Sequence, residues 1–117
     1  MRYLLTPLID EAYWDGLPKE EQGREMAAFR DYGGALREAG ALVGNYRPHP
    51  STQAKTVRVL DGQTQVHDGP HGDLKEQPGG YYIIDVPDLA AALDWAGRSP
   101  SARYGVVEVR PIAGGQP

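Results

Sequence analysis

Between His67 and Tyr82 the chain reads His-Asp-Gly-Pro-His-Gly-Asp-Leu-Lys-Glu-Gln-Pro-Gly-Gly-Tyr-Tyr, its densest run of ionisable, turn-forming and aromatic residues. A carboxylate such as that of Asp68 becomes a general base where burial disfavours its charged form. The imidazole of His71 suits an acid, a base or a ligand contact, because histidine ordinarily titrates close to neutral pH. Asp68 and His71 are therefore the candidate catalytic residues. The plainer role is a turn: Asp accepts nearby backbone N–H bonds, Pro presets φ, and Gly allows what other residues cannot. His71 has its own plain role, an imidazole ring filling an apolar slot in a loop.

Further groups could surround them. Lys75 offers a cation to an acidic ligand and Glu76 a second carboxylate, although such pairs are more often a solvated face. Ser51 and Thr52 supply hydroxyl donors from a separate loop. Tyr81 and Tyr82 point to opposite sides of one strand, so one at most lines a cleft, and Tyr82 is the candidate. His49, His67 and His71 with Asp68 or Asp73 are acceptable metal ligands, but Gly69 and Pro70 exclude the helix that would aim His67 and His71 at one ion. No metal site is expected. Gly79-Gly80 lacks the Lys and helix of a phosphate loop, and no nucleophile elbow supports a serine nucleophile; no organic cofactor is expected.

The elements that position these residues follow from periodicity. Residues 2 to 9 read as a strand, with Pro7 marking a sheet edge or bulge. A helix begins near Pro18, carries Met26, Phe29, Gly33 and Leu36 on its apolar face, and stops at Gly40. Gly33 and Gly34 inside it each cost about 1 kcal/mol relative to alanine, which calls for a compensating reason such as close approach to a sheet, or simply packing. Ala41 to Tyr46 is a short strand, ended by the prolines of Arg47-Pro48-His49-Pro50.

Asp61-Gly62 joins strands 56–60 and 63–67 into a hairpin, with Val57 opposite Val66 and Val59 opposite Thr64. Val57, Val59, Thr64 and Val66 then share one face, His67 takes the other, and the alternation makes Asp68 the inward group. Gly79 to Val86 forms the next strand, apolar on both faces. Asp88 caps a second helix with Leu89, Ala92, Leu93 and Ala96 on one side, and Tyr104 to Arg110 is the last strand. This order predicts an α+β, ferredoxin-like split βαβ fold with an inserted β-hairpin. Two helices cover one face of the sheet, so the other is expected to meet a second copy in a homodimer.

The 117 residues suit a single domain over 1–112 with a flexible tail at 113–117. A formal charge of −4 argues against direct binding to nucleic acid or an anionic membrane. The absence of cysteine removes disulfides and thiolate chemistry. The first apolar run is too short for a signal-peptide core, and no run approaches a membrane span, so a soluble cytoplasmic protein is the expectation.

Asp68-Gly69-Pro70-His71, followed by Lys75-Glu76 and by Gly79-Gly80-Tyr81-Tyr82-Ile83-Ile84-Asp85-Val86, resembles the YCII-related family, in particular its DGPF-motif members. Flanking segments agree: Pro50-Ser51-Thr52 before a Thr-Val-Arg-Val strand, Trp95 in an Ala-rich helix, and Val107-Glu108-Val109-Arg110-Pro111 at the end. The resemblance implies a dimeric α+β barrel with a cleft near the motif. Some members carry a His and Asp pair there, and some relatives lie beside sigma factors. Here His71 stands where the motif has Phe, Pro78 interrupts a position usually small or aliphatic, and the first helix carries no His, so the pair does not transfer intact. Three functions remain in view: a cofactor-independent small-molecule enzyme using acid/base residues near the motif, a non-catalytic ligand-binding or regulatory dimer associated with transcription, and, with less support, a purely oligomeric interaction protein.

Overall fold

Alternating apolar residues build the first strand, β1 (Arg2–Asp10), which sends Tyr3, Leu5 and Pro7 into the interior. The structure is a computed structural model describing residues 1–115; Gln116 and Pro117, the end of the expected tail, lie outside the described residues. Ala113 to Gly115 have no regular secondary structure. Asp10 caps a short helix, α1 (Glu11–Gly16), by accepting a hydrogen bond from the Ala12 N–H.

The long helix α2 (Lys19–Glu38) follows Pro18, and β2 (Leu42–Tyr46) returns alongside the sheet. A 3-10 turn at Ser51–Gln53 leads to the hairpin β3 (Lys55–Leu60) and β4 (Gln63–Asp68). Then come β5 (Glu76–Pro78), β6 (Tyr81–Asp85), α3 (Leu89–Gly97), a second 3-10 turn at Pro100–Arg103, and β7 (Val106–Pro111). As expected, Asp88 caps α3, its carboxylate accepting from the Ala91 N–H at 2.9 Å.

The main sheet runs β2-β6-β1-β7, every neighbour antiparallel, and β5 continues the line of β6 along the far end of β1. This is the split βαβ order that the element sequence predicts, so the fold is α+β and ferredoxin-like. Pro7 is not at an edge: β1 is central. It sits where pairing passes from β6 to β5, and its carbonyl accepts the Gly79 N–H at 2.8 Å across that break. A residue without an N–H is tolerated there because the ladder is already interrupted.

Tyr3, Leu5, Tyr82 and Ile84 of the sheet pack under Tyr32 and Leu36 of α2 and Ala92 and Ala96 of α3. Tyr32 anchors this layer, donating its hydroxyl to the Trp95 carbonyl at 2.7 Å and meeting Tyr82 and Trp95 edge to face. Gly33 explains itself: a Cβ there would lie 3.4 Å from the Asn45 amide, so α2 crosses β2 closely. Gly34 has open space instead.

The hairpin has the expected register, Val57 opposite Val66 and Val59 opposite Thr64, with positive φ at Asp61 and Gly62. Its expected inward face is overturned. Val57, Val59 and Val66 are each more than 60% exposed, because the hairpin is a separate two-stranded sheet that packs on no other element extensively. Alternation defines two faces but does not say which one is covered. The arm makes the molecule flat, 49 × 40 × 20 Å, with a radius of gyration of 16.1 Å against about 13 Å for a compact chain of this length.

Candidate functional site

Two concavities among the described residues bear on the site, and the motif residues line the smaller one. A shallow hollow of about 290 Å³ lies on the hairpin's polar side, bounded by Thr56, Arg58, Gln65 and His67 and closed by Asp68, Pro70 and His71. The turn after β4 is held by the hairpin itself: Gly69 N–H donates to the Ala54 carbonyl at 2.7 Å, and the Thr56 hydroxyl to the Gly69 carbonyl at 2.9 Å. Gly69 and Gly72 have positive φ, which is the backbone role the turn requires of them.

Asp68 is 87% exposed and ion-paired with Lys55 Nζ at 2.5 Å. Its expected inward orientation is therefore not observed, since the valine face it shares is itself bare. His71 is exposed at the rim of the same hollow. Lys75 reaches Asp10 Oδ2 at 3.5 Å from an exposed position, and Glu76 pairs with Asp10 in the backbone register at the start of β5. Among the described residues no group of three or more His, Asp or Glu is placed to hold a metal ion.

The larger concavity, about 770 Å³, lies on the helix-covered side of the sheet, where the first half of α2 leaves the strands. Towards Tyr32 and Leu36 the helix packs tightly, but at Met26, Phe29 and Arg30 it stands off, and the space beneath is open. The floor is Pro7, Ile9, Tyr82 and the Gly79-Gly80 segment. Added Cβ atoms would lie 3.0 Å from Ile9 at Gly79 and 3.5 Å from the Tyr46 carbonyl at Gly80, so the bare backbone shapes this end. Trp14 of α1 forms one wall, and Tyr46 to Pro50 with Thr52 form the other.

One contact joins the two walls. The Glu11 carboxylate accepts the Ser51 backbone N–H at 2.9 Å through Oε2 and the Ser51 hydroxyl through Oε1. Ser51 therefore has both donors engaged within the protein, and Thr52 is the hydroxyl residue lining the cleft. Tyr82, only 5% exposed, is another proposed ligand contact that does line it. Burial pushes its phenol up from the ordinary tyrosine range, so it stays protonated and can donate. The Tyr3 and Tyr32 hydroxyls donate to Met1 Sδ and the Trp95 carbonyl, whereas that of Tyr82 has no partner among the described residues.

Charge enters the cleft at its mouth. Arg30 and Arg47 line it, and neither has an ion-pairing carboxylate among the described residues. Arg47 Nη1 reaches Met26 Sδ at 3.3 Å, a weak acceptor. Asp15 and the already engaged Glu11 carry the opposing charge. His49 also lines this cleft, although its place between two prolines gave no reason to favour it. Among the sequence candidates, the structure brings Thr52 and Tyr82 together here and leaves Asp68 and His71 at the other hollow. Trp14, Phe29, Arg30 and Arg47 went unnoticed as site residues, because they come from separate segments that only the fold assembles.

The model of the YCII-related domain matches residues 1–114. An uncharacterized protein of Rhizobium meliloti (strain 1021) is 40% identical over 118 residues, covering 97% of this chain and 93% of that protein. No helix among the described residues is long and apolar enough to cross a membrane.

Proposed function

The chain belongs to the YCII-related domain family, and from that premise we propose that it binds a small organic molecule in the cleft between Trp14, Phe29 and Tyr82. The cleft itself carries the reading: about 770 Å³, walled by aromatic, aliphatic and proline side chains, with a few polar groups converging on it. Sites for small ligands have this size and this balance. The hollow beside Asp68 and His71 is smaller, and its carboxylate is engaged by Lys55 in solvent. An acid/base role for Asp68 and His71 would need a covering surface, such as a second subunit supplies.

A homodimer is part of the proposal. Leu4, Leu8, Tyr81 and Ile83 lie half-buried on the sheet face away from the helices, and the valine face of the hairpin is bare. A two-stranded hairpin alone is marginally stable in water, so a neighbouring copy over these surfaces supplies the missing cover. Sedimentation velocity should give a dimer that Ile83→Lys converts to monomer; a monomeric unaltered chain contradicts this.

The binding reading is tested by calorimetry with 2-naphthylmethanol as the probe. A saturable heat that Phe29→Lys abolishes and His71→Ala leaves intact supports it. A heat lost with His71→Ala and kept in Phe29→Lys overturns it. An enzymatic version is favoured by one observation, that His49 lines the same cleft as Asp15. In that version His49 takes the proton-transfer role, and His49→Ala should abolish turnover while leaving probe binding in place.

A further inference from the structure

Resting on that reading of the cleft, we propose that its ligand is an organic acid: an apolar, ring-sized body with one carboxylate, the ring over Tyr82 and the carboxylate between Arg30 and Arg47. Three observations on different elements converge. Arg30 on α2 and Arg47 after β2 both border the cleft, and neither meets a carboxylate of the described residues. A guanidinium presents five N–H donors in a fork matched to a carboxylate, so two such groups without ion-pair partners form an acceptor-seeking edge. The Tyr82 hydroxyl has no hydrogen-bond partner among the described residues, and its residue lines the same cleft, which leaves it free to donate to a ligand.

The rest of the lining sets the ligand's other end. Ile9, Phe29, Trp14 and Pro7 offer apolar and aromatic surface to a ring, while the polar side chains Asn45, His49 and Thr52 also line the cleft. Glu11 is turned to Ser51, from which it accepts two hydrogen bonds, so it does not occupy the arginine edge. A planar carboxylate matches the guanidinium fork, whereas an amine would meet two like charges.

The test compares two probes of one shape on the full chain, 2-naphthoate and 2-naphthylmethanol, by calorimetry. The carboxylate should bind about ten- to a hundred-fold more tightly, as charge-assisted hydrogen bonds imply. In Arg30→Gln/Arg47→Gln that preference should collapse while the alcohol keeps its affinity, and each single variant should fall between. Equal binding of both probes, or preference for the alcohol, overturns the acid inference and leaves the cleft reading standing. Failure of both probes to bind the unaltered chain overturns the cleft reading and the inference with it. Should the double variant not fold, the two-probe comparison on the unaltered chain decides alone.

Discussion

Glu11 and Ser51, forty residues apart, are joined by two hydrogen bonds that fasten the start of α1 to the 3-10 turn beyond β2. The pair closes one end of the cleft and fixes the spacing between Trp14 and the His49-bearing loop. Hydrogen bonds to a charged group contribute about 1.5–3 kcal/mol when well shielded, and this pair is only partly buried. Glu11→Ala should therefore lower stability in urea by about 1–2 kcal/mol and speed hydrogen exchange at the Ser51 amide. Ser51→Ala, which keeps the backbone bond, should cost less; equal losses would contradict a two-bond clamp.

Asp68→Asn should change little. The Lys55 pair it breaks lies in solvent, and exposed ion pairs contribute about 0–1 kcal/mol. Probe affinity in the cleft should stay within about two-fold, since a change of that size is under 0.5 kcal/mol. A ten-fold loss would place Asp68 in the binding site.

Gly34→Ala should stabilise the chain by about 1 kcal/mol, the difference in helix propensity, because a Cβ there meets open space within α2. Gly33→Ala should gain less, since its Cβ would press on Asn45 at 3.4 Å. Denaturant midpoints for the two variants check the order, and the reverse order would contradict the packing of α2 on β2.

Alkaline pH should destabilise the fold. Burial, aided by Glu25, pushes Tyr104 up to about 12, and burial raises Tyr32 and Tyr82 as well. The unfolded tyrosines ionise near 10 while the folded ones keep their protons, so stability holds below about pH 10 and falls as pH rises towards 12. The Tyr104 hydroxyl is buried without a partner, so Tyr104→Phe should cost no stability at neutral pH and should shallow this alkaline decline. Thermal unfolding from pH 8 to 11 checks both; a decline as steep as in the unaltered chain would contradict the assignment to Tyr104.

The sequence showed much of this frame and little of the site. Asp61-Gly62 set the hairpin register, Asp88 the cap of α3, and the order of elements the split βαβ sheet, because each is a local signal. Asp68 was read as inward because alternation placed it with the valines, but covering depends on what packs against the hairpin, and nothing in its own residues says so. The cleft was hidden for a similar reason. Trp14, Phe29, Arg47 and Tyr82 sit on four segments, and only Tyr82 carried a local hint, its position on a strand apolar on both faces.

The central claim is tested most directly by a crystal structure of the chain grown with 2-naphthoate. The account predicts ring density over Tyr82 between Trp14 and Phe29, with the carboxylate at Arg30 and Arg47. Density confined to the hollow beside Arg58 and His71, with the cleft empty, would contradict it.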